Sequence, residues 1–273
     1  MIEFFLLLMA LVWAGFASIQ DIKKLEIDNW ISFSLIIFAL GFRFFFSLFS
    51  GNFNFFYQGL VWLGIFYVLG NIFYYSRLFA GGDAKLIIAL GSVLGISSSF
   101  FTNLFYCAVF LMIFLFSGGI YGGIVSFVLV SKNFNNFQKE FKKTFNKYKN
   151  IFYMNLFFAL FLIILGINEN VFMFIGFLIL IMPLLFFYAR AVDESCSIKI
   201  IPSSRLREGD WLYEKVKVGK KTIQPKWEGL SSEEIKIIRK NKKRIKIRQG
   251  IPFVPVIFFS LLFYSLLMFL IFN

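Results

Sequence analysis

Residues 54–76 read NFFYQGLVWLGIFYVLGNIFYYS and contain no charged side chain. A helix needs about 20 mainly apolar residues to cross a hydrocarbon core roughly 30 Å thick, and this stretch is long enough. Hydrophobic residues make up 59% of the 273-residue chain, and 42 residues are Phe. A soluble domain has only roughly 45–50% apolar residues. The composition therefore predicts an all-α polytopic membrane protein.

Apolar runs of similar length recur along the chain and predict about eight transmembrane helices, with six to eight possible. The candidate spans are residues 2–20, 30–49, 54–76, 84–103, 105–130, 151–167, 171–190 and 252–272. The first has no basic region before it and no small-residue cleavage site, so we expect a retained helix. The fourth is interrupted by Ser97–Ser99, and from Ala84 to Ile96 it offers only about 20 Å of helix.

The 28 Lys and Arg residues give the chain a net charge of +13. They collect in every second loop between the candidate spans, which predicts that these loops face the cytoplasm and that both termini lie outside. Arg43 falls within the second span, where we expect it to snorkel to the interface. Membrane topology and attraction to anionic lipid of the inner leaflet explain the excess of positive charge, so no nucleic-acid partner is predicted.

Composition also divides the chain into segments. We expect a membrane-embedded core at 1–130, a basic loop with further transmembrane helices at 131–190, a cytoplasmic basic segment at 191–250 and a C-terminal transmembrane anchor at 251–273. In the basic segment, Ser231 and Glu234 form a capping box, and residues 233–247 have the pattern of a basic amphipathic helix lying on the inner leaflet. Gly250 and Pro252 should end that helix.

The chain has no histidine and two cysteines. The lack of histidine excludes a Ser-His-Asp triad, a HExxH metalloprotease site and any His-ligated metal. Cys107 lies in an apolar span and Cys196 beside a charged segment, and no CxxC pattern occurs, so neither a disulfide nor structural zinc is predicted. We expect no metal and no cofactor.

Two acidic residues lie at the expected ends of apolar spans. Asp21 follows the first span, and Asp83 lies between the third and fourth, after Gly81 and Gly82. Ionisable groups at membrane depth are costly and usually functional, although an Asp at a helix end can simply cap the helix. The two glycines would let a peptide backbone come close to the second carboxylate. Two carboxylates in one site cannot both ionise easily, as in an aspartic protease.

Both acids lie in motifs that resemble those of the type IV prepilin and preflagellin peptidases, which belong to the GxGD membrane aspartyl proteases. The first motif is matched by DIKKLEIDN at 21–29, and GxGDxK is matched by AGGDAK at 80–85, with Ala80 replacing the first glycine. The resemblance covers roughly residues 1–130 and is strongest to archaeal members. Bacterial members often carry a four-cysteine zinc segment and methylate their product, and this chain lacks those cysteines, so we expect peptidase activity alone.

The resemblance implies a membrane aspartyl endopeptidase that removes the short basic leader from pilin-like or archaellin precursors at the cytoplasmic face, with Asp21 and Asp83 as the catalytic pair. Lys85 belongs to the same motif, where it could bias the neighbouring acid toward ionisation or bind lipid phosphate. Glu26 and Asp28 are acids beside the expected site in an otherwise cationic surface, which makes them candidates for attracting the basic leader. Precursor proteins are the expected partners, and the oligomeric state stays open.

Three alternatives remain. A presenilin-like intramembrane protease would place its acids deep within two spans, whereas Asp21 lies beside Lys23 and Lys24. A transporter or channel could use both acids for proton or cation passage, but the sequence has no internal repeat and few other polar groups in its spans. A scaffold subunit of a secretion or pilus machine would leave the acids structural, and replacing either Asp with Asn would distinguish it from a protease.

Overall fold

The computed structural model describes residues 2–76, 78–167, 169–218, 221–226 and 228–272. Within them the helices are α1 Ile2–Lys24, α2 Asn29–Ser50, α3 Asn54–Tyr75, α4 Gly81–Leu94, α5 Phe100–Lys132, α6 Phe134–Leu165, α7 Asn170–Cys196, α8 Ser232–Asn241 and α9 Val254–Phe272. Seven of these helices, all except α4 and α8, are long and apolar enough to cross a membrane. The predicted helical, polytopic membrane fold is confirmed, and the number of candidate spans agrees with the expected six to eight.

The fourth and fifth spans differ from those expected at 84–103 and 105–130. Helix α4 has 14 residues, about 21 Å of helix, and is not one of the candidate spans. The chain leaves the helix after Leu94 and starts α5 at Phe100. In the break, the Asn103 side chain accepts a hydrogen bond from the Ser97 N–H (2.6 Å) and donates one to the Ser97 carbonyl (2.8 Å). Side-chain bonds thus replace helical bonds around the serines.

The basic stretch expected as a loop after residue 131 is helical instead. Helix α6 includes it and continues through the span expected at 151–167 as one helix of 32 residues. Phe137, Phe141 and Phe145 follow the spacing of one helix face, and the last two pack against Phe187 of α7. The charge of the stretch concealed this period in the sequence.

The chain forms two compact units, and the first comprises residues 1–123 and 251–273. Its core is built from α1 to α4, α5 and α9. Helix α9, expected as a separate anchor, packs against α1, where Phe269 meets Phe4 edge to face at 5.5 Å. Helices α3 and α4 approach closely at Gly91, where the absence of a side chain makes room. A Cβ at this position would lie only 2.5 Å from the Cβ of Phe66.

The second unit comprises residues 124–250. After α6 and α7 its described residues form the short strands β1 Ile198–Pro202, β2 Trp211–Leu212, β3 Val216–Val218, β4 Lys221–Ile223 and β5 Arg244–Arg248. Strand β5 lies between β1 and β2 in an antiparallel sheet, and β3 pairs with β4. The segment expected at 191–250 as a cytoplasmic basic segment, either a small domain or an insert lying on the membrane, therefore holds a small folded domain, and its strands were not predicted.

The prediction of an amphipathic helix at 233–247 is wrong for the second half of that range. The capping box is confirmed, since Ser231 accepts the Glu234 N–H and donates its own N–H to the Glu234 carboxylate. The helix then ends at Asn241, and β5 begins at Arg244. Its RIKIR sequence alternates with period two, so Ile245 and Ile247 join the isoleucines of α8 in a protein core rather than facing lipid.

Arg43 does not snorkel to an interface, as expected, but is 0% exposed. Its guanidinium donates to the carbonyls of Ser92 (2.8 Å), Val93 (2.9 Å) and Gly95 (3.0 Å). A fourth bond reaches the carbonyl of Phe55 at 2.9 Å. The last carbonyls of a helix have no intrahelical partner, and a cation there is favoured by the helix dipole. Arg43 therefore caps the C-terminus of α4.

We expect Arg43→Ala to destabilise the protein by several kcal/mol, because each buried acceptor left without a donor costs about 1–3 kcal/mol. Arg43→Lys should fall between Ala and wild type, since an ammonium lacks the planar fork of donors. Loss of helical circular dichroism on heating in detergent would measure this, with exposed Lys142→Ala as the matched loss of a cation. An Arg43→Ala protein as stable as wild type would contradict the capping role.

Candidate active site

Asp21 lies in the last turn of α1, which continues to Lys24, beyond the expected end of the span. Its side chain is 5% exposed, and Oδ2 accepts the backbone N–H of Val254 at 3.0 Å. Val254 is the first residue of α9, where backbone N–H groups have no intrahelical partner. Asp21 therefore caps a helix that begins 233 positions later in the chain.

Asp83 is the third residue of α4 and is 9% exposed. Burial raises the pKa of its carboxyl to about 7, and the negative charge of Asp21 acts in the same direction. A hydrogen bond from the backbone of Ala80 opposes the rise in this pKa. The structure thus brings the two predicted acids close enough for the charge of one to disfavour the charge of the other.

The loop between α1 and α2 is held by local contacts beside Asp21. Leu25 adopts the left-handed conformation (φ 55°), and its N–H donates to the Asp21 carbonyl at 2.7 Å. The Gln20 side chain then closes the loop, because it donates to the Asp28 carboxylate (2.5 Å) and accepts the Asp28 N–H (3.0 Å). The chain after the first acid is therefore turned back toward the start of α2.

Gly82 allows this loop to pack against the first turn of α4. A Cβ at Gly82 would lie 3.3 Å from the Cβ of Ile27, which is tighter than an ordinary contact. A Cβ at Gly81 would meet Tyr74 at 3.7 Å, an ordinary contact distance. Ile27 occupies the clearance at Gly82 that the sequence reading assigned to a bound peptide, so this glycine joins the two motifs.

Lys85 is exposed and donates from Nζ to the side chain of Asn29 at 2.7 Å. Asn29 is the first residue of α2 and the last residue of the first motif. The contact therefore fastens the second motif to the first, a role that the sequence reading did not consider for Lys85. Glu26 and Asp28 also lie on the exposed surface of the intervening loop, as expected.

Sequence reasoning missed the residues that α5 and α9 bring to the site. The Tyr121 hydroxyl donates to the carbonyl of Pro252 at 2.8 Å, two residues before Val254. Phe253 packs against Phe79 (5.4 Å) and Phe114 (6.0 Å), beside the glycine motif. These are ordinary aromatic residues in a chain rich in Phe, and only Pro252 and Pro255 around the helix start offered a signal.

The pair has the chemistry of two coupled carboxyls. When two acids interact in this way, one keeps a proton while the other ionises, and they titrate as a unit. A carboxylate can then accept a proton from water while the carboxylic acid donates a hydrogen bond. Among the described residues, no group of three or more His, Cys, Asp or Glu side chains is placed to hold a metal ion.

We expect infrared difference spectra to show a protonated carboxyl that titrates near pH 7 and is absent from Asp83→Asn, because the pKa of Asp83 is raised to about 7. In Asp21→Asn the neighbouring charge is gone, so the pKa of Asp83 should fall and the band should disappear at lower pH. Asp193→Asn, which removes a carboxylate paired with Arg248 in the second unit, serves as the control for loss of a charge elsewhere. An unchanged midpoint in Asp21→Asn would mean that the two carboxyls do not interact.

Residues 8–127 match the sequence model described as the type IV leader peptidase family. This range contains both motifs and both acids, and α9 lies outside it. No curated protein and no solved structure shows a significant match to the chain. Over the residues that carry Asp21 and Asp83, the chain is therefore similar to the type IV leader peptidase family.

Proposed function

We propose that this protein is a membrane aspartyl endopeptidase that removes the short basic leader from type IV pilin-like or archaellin precursors at the cytoplasmic face of the cell membrane. The observation that carries the proposal is the buried pair of Asp21 and Asp83. Both residues lie within the segment that matches the leader peptidase family.

The reaction needs one proton shared between two acids. The ionised member takes a proton from a water molecule, whose oxygen attacks the scissile carbonyl carbon. The protonated member donates a hydrogen bond to the carbonyl oxygen and so stabilises the negative charge that develops there. When the carbon–nitrogen bond breaks, the dyad returns a proton to the leaving amine. The buried surroundings support this chemistry because they keep one carboxyl protonated near neutral pH.

The position of the pair supports a cut near the membrane interface. Asp21 lies three residues before the end of α1, and Asp83 is the third residue of α4. The exposed residues Lys23 and Lys24 follow Asp21 after one intervening residue. A precursor whose basic leader precedes a hydrophobic helix would bring its cleavage site to this level. A presenilin-like protease cuts inside the substrate helix, which fits two acids at helix ends less well.

The distribution of charge supports the proposed cytoplasmic orientation. Lys and Arg gather in alternate loops, and the loop after α1 is one of them. Cytoplasmic loops carry such an excess, which supports a position of the acid pair on the side where precursors are made. The same cations would attract anionic lipid of the inner leaflet.

Asp21→Asn and Asp83→Asn should each lower leader removal at least about a hundredfold, because general acid–base catalysis contributes 10²–10⁴-fold. The measurement is a mass shift of a purified pilin-like precursor incubated with the protein in detergent. Both variants should remain folded, since a neutral amide fits a buried site without the cost of a buried charge.

Asp193→Asn is the matched control, because Asp193 pairs with Arg248 in the second unit and has no role in the proposed reaction. Leader removal by folded Asp21→Asn or Asp83→Asn at the wild-type rate would exclude the proposed pair. Failure of the wild-type protein to process any pilin-like precursor would exclude the proposed substrate class.

Replacing Glu26 and Asp28 together by Gln and Asn should raise the KM for a precursor with a basic leader and leave kcat nearly unchanged, because the acids attract the leader without touching the reacting atoms. The effect should shrink as salt screens the charges. Exposed Glu208→Gln removes a distant acid for comparison. An unchanged KM at low ionic strength would show that neither acid guides the substrate.

A further inference from the structure

The N-terminus of α9 contacts Asp21 although α9 lies outside the segment that matches the peptidase family. The Val254 N–H donates to Oδ2 of Asp21 at 3.0 Å, and the backbone of Phe253 also hydrogen-bonds this carboxylate. Hydrogen bonds to the charged form favour ionisation, and the positive end of a helix dipole adds to the effect. Burial disfavours the charged form of Asp21, and this contact offsets part of that cost.

Asp83 lies in the first turn of α4, where the helix dipole also favours a carboxylate. Among the described residues, the backbone of Ala80 hydrogen-bonds it, but burial and the charge of Asp21 oppose its charged form. Each ionised acid disfavours ionisation of the other, so the proton goes to the acid whose charged form has less support. Burial and the charge of Asp21 raise the pKa of Asp83 to about 7, and the Val254 N–H at 3.0 Å supports the charge on Asp21, so the proton lies on Asp83.

Two contacts hold the start of α9 in this position. The Tyr121 hydroxyl of α5 donates to the Pro252 carbonyl at 2.8 Å. The Phe253 ring packs between Phe79 and Phe114. A backbone donor held from both sides can keep its distance to Asp21 through a reaction cycle.

We infer that the start of α9 is a positioning element of the catalytic site: the Val254 N–H holds Asp21 as the ionised general base, and Asp83 is therefore the proton donor to the substrate carbonyl. The inference rests on the proposed peptidase function and deepens it by giving each acid one role. It also makes residues far beyond the family match necessary for normal catalysis.

Among the described residues, the titratable groups that face Asp21 from neighbouring helices are Asp83 on α4 and Tyr121 on α5. On its own segment Lys23, Lys24 and Glu26 are exposed. The first turn of α9 contributes no ionisable side chain. Ionisation of Asp21 should therefore govern the acid limb of the pH profile, and deprotonation of Asp83 should govern the basic limb.

The test is the pH profile of kcat/KM for the full-length protein on a purified pilin-like precursor. Val254→Pro removes the N–H, and proline is tolerated at the first position of a helix. Loss of a hydrogen bond to a charged group should move the acid limb upward by about 1–2 pH units. Val254→Ala loses side-chain packing but keeps the N–H, so its acid limb should stay at the wild-type pH whatever its rate.

Tyr121→Phe provides a second variant that does not depend on proline at the helix start. It removes the hydroxyl that holds Pro252, so its acid limb should move in the same direction by a smaller amount. Acid limbs of Val254→Pro and Tyr121→Phe that coincide with wild type would overturn the inference. If Val254→Pro does not fold, an acid limb of Tyr121→Phe that stays at the wild-type pH is sufficient to overturn the inference.

The outcomes also separate this inference from the proposed function. A peptidase that loses activity in Asp21→Asn and Asp83→Asn but keeps its pH profile in Val254→Pro retains the function and loses only the assignment of roles. Activity that survives both Asn substitutions removes the proposed function itself. A variant that is merely misfolded loses rate at every pH without moving the limb.

Discussion

The hydrogen bonds between Arg43 and the last turn of α4 are the constraint on which the position of Asp83 depends. Helix α4 has 14 residues and ends inside an apolar unit, where carbonyls without partners are costly. The guanidinium satisfies the carbonyls of Ser92, Val93 and Gly95 and fixes where α4 ends. Because a helix is rigid along its axis, fixing this end also fixes Asp83 at the other end. The buried cation Arg43 thus positions the buried acid Asp83 from the opposite end of α4.

The residues that define the two motifs mostly join the motifs to each other. Ile27 of the first motif fills the space above Gly82 of the second, and Asn29 accepts a hydrogen bond from Lys85. These contacts link the start of α2 to the start of α4 and so hold the loop after Asp21 in place. In the folded chain, residues of each short motif contact the other motif, so the two motifs together join the start of α2 to the start of α4.

Local patterns in the sequence were sufficient for the features that depend on local interactions. The apolar spans, the capping box of Ser231 and the two motif acids all follow from neighbours within a few residues. The caps of Arg43 and Asp21 join positions 49–52 and 233 residues apart, and no local pattern marks them. Strand β5 was missed for another reason. Its sequence RIKIR is too short to distinguish the period-two alternation of a strand from the continuation of an amphipathic helix. In α6, counting charges concealed the regular spacing of its phenylalanines.

The second unit interrupts the first as an insertion. Residues 1–123 and 251–273 form one unit, so the chain leaves it near the end of α5 and returns before α9. Tyr121 and Pro252 lie on the two sides of this insertion and are joined by a hydrogen bond of 2.8 Å. An inserted segment leaves the host unit intact when its ends lie close together. Here the closure has a further consequence, since the returning chain begins the helix whose first N–H contacts Asp21. The acid pair therefore draws on residues from both sides of the insertion, and a segment that ends with α5 contains both acids without the group that holds one of them as a carboxylate.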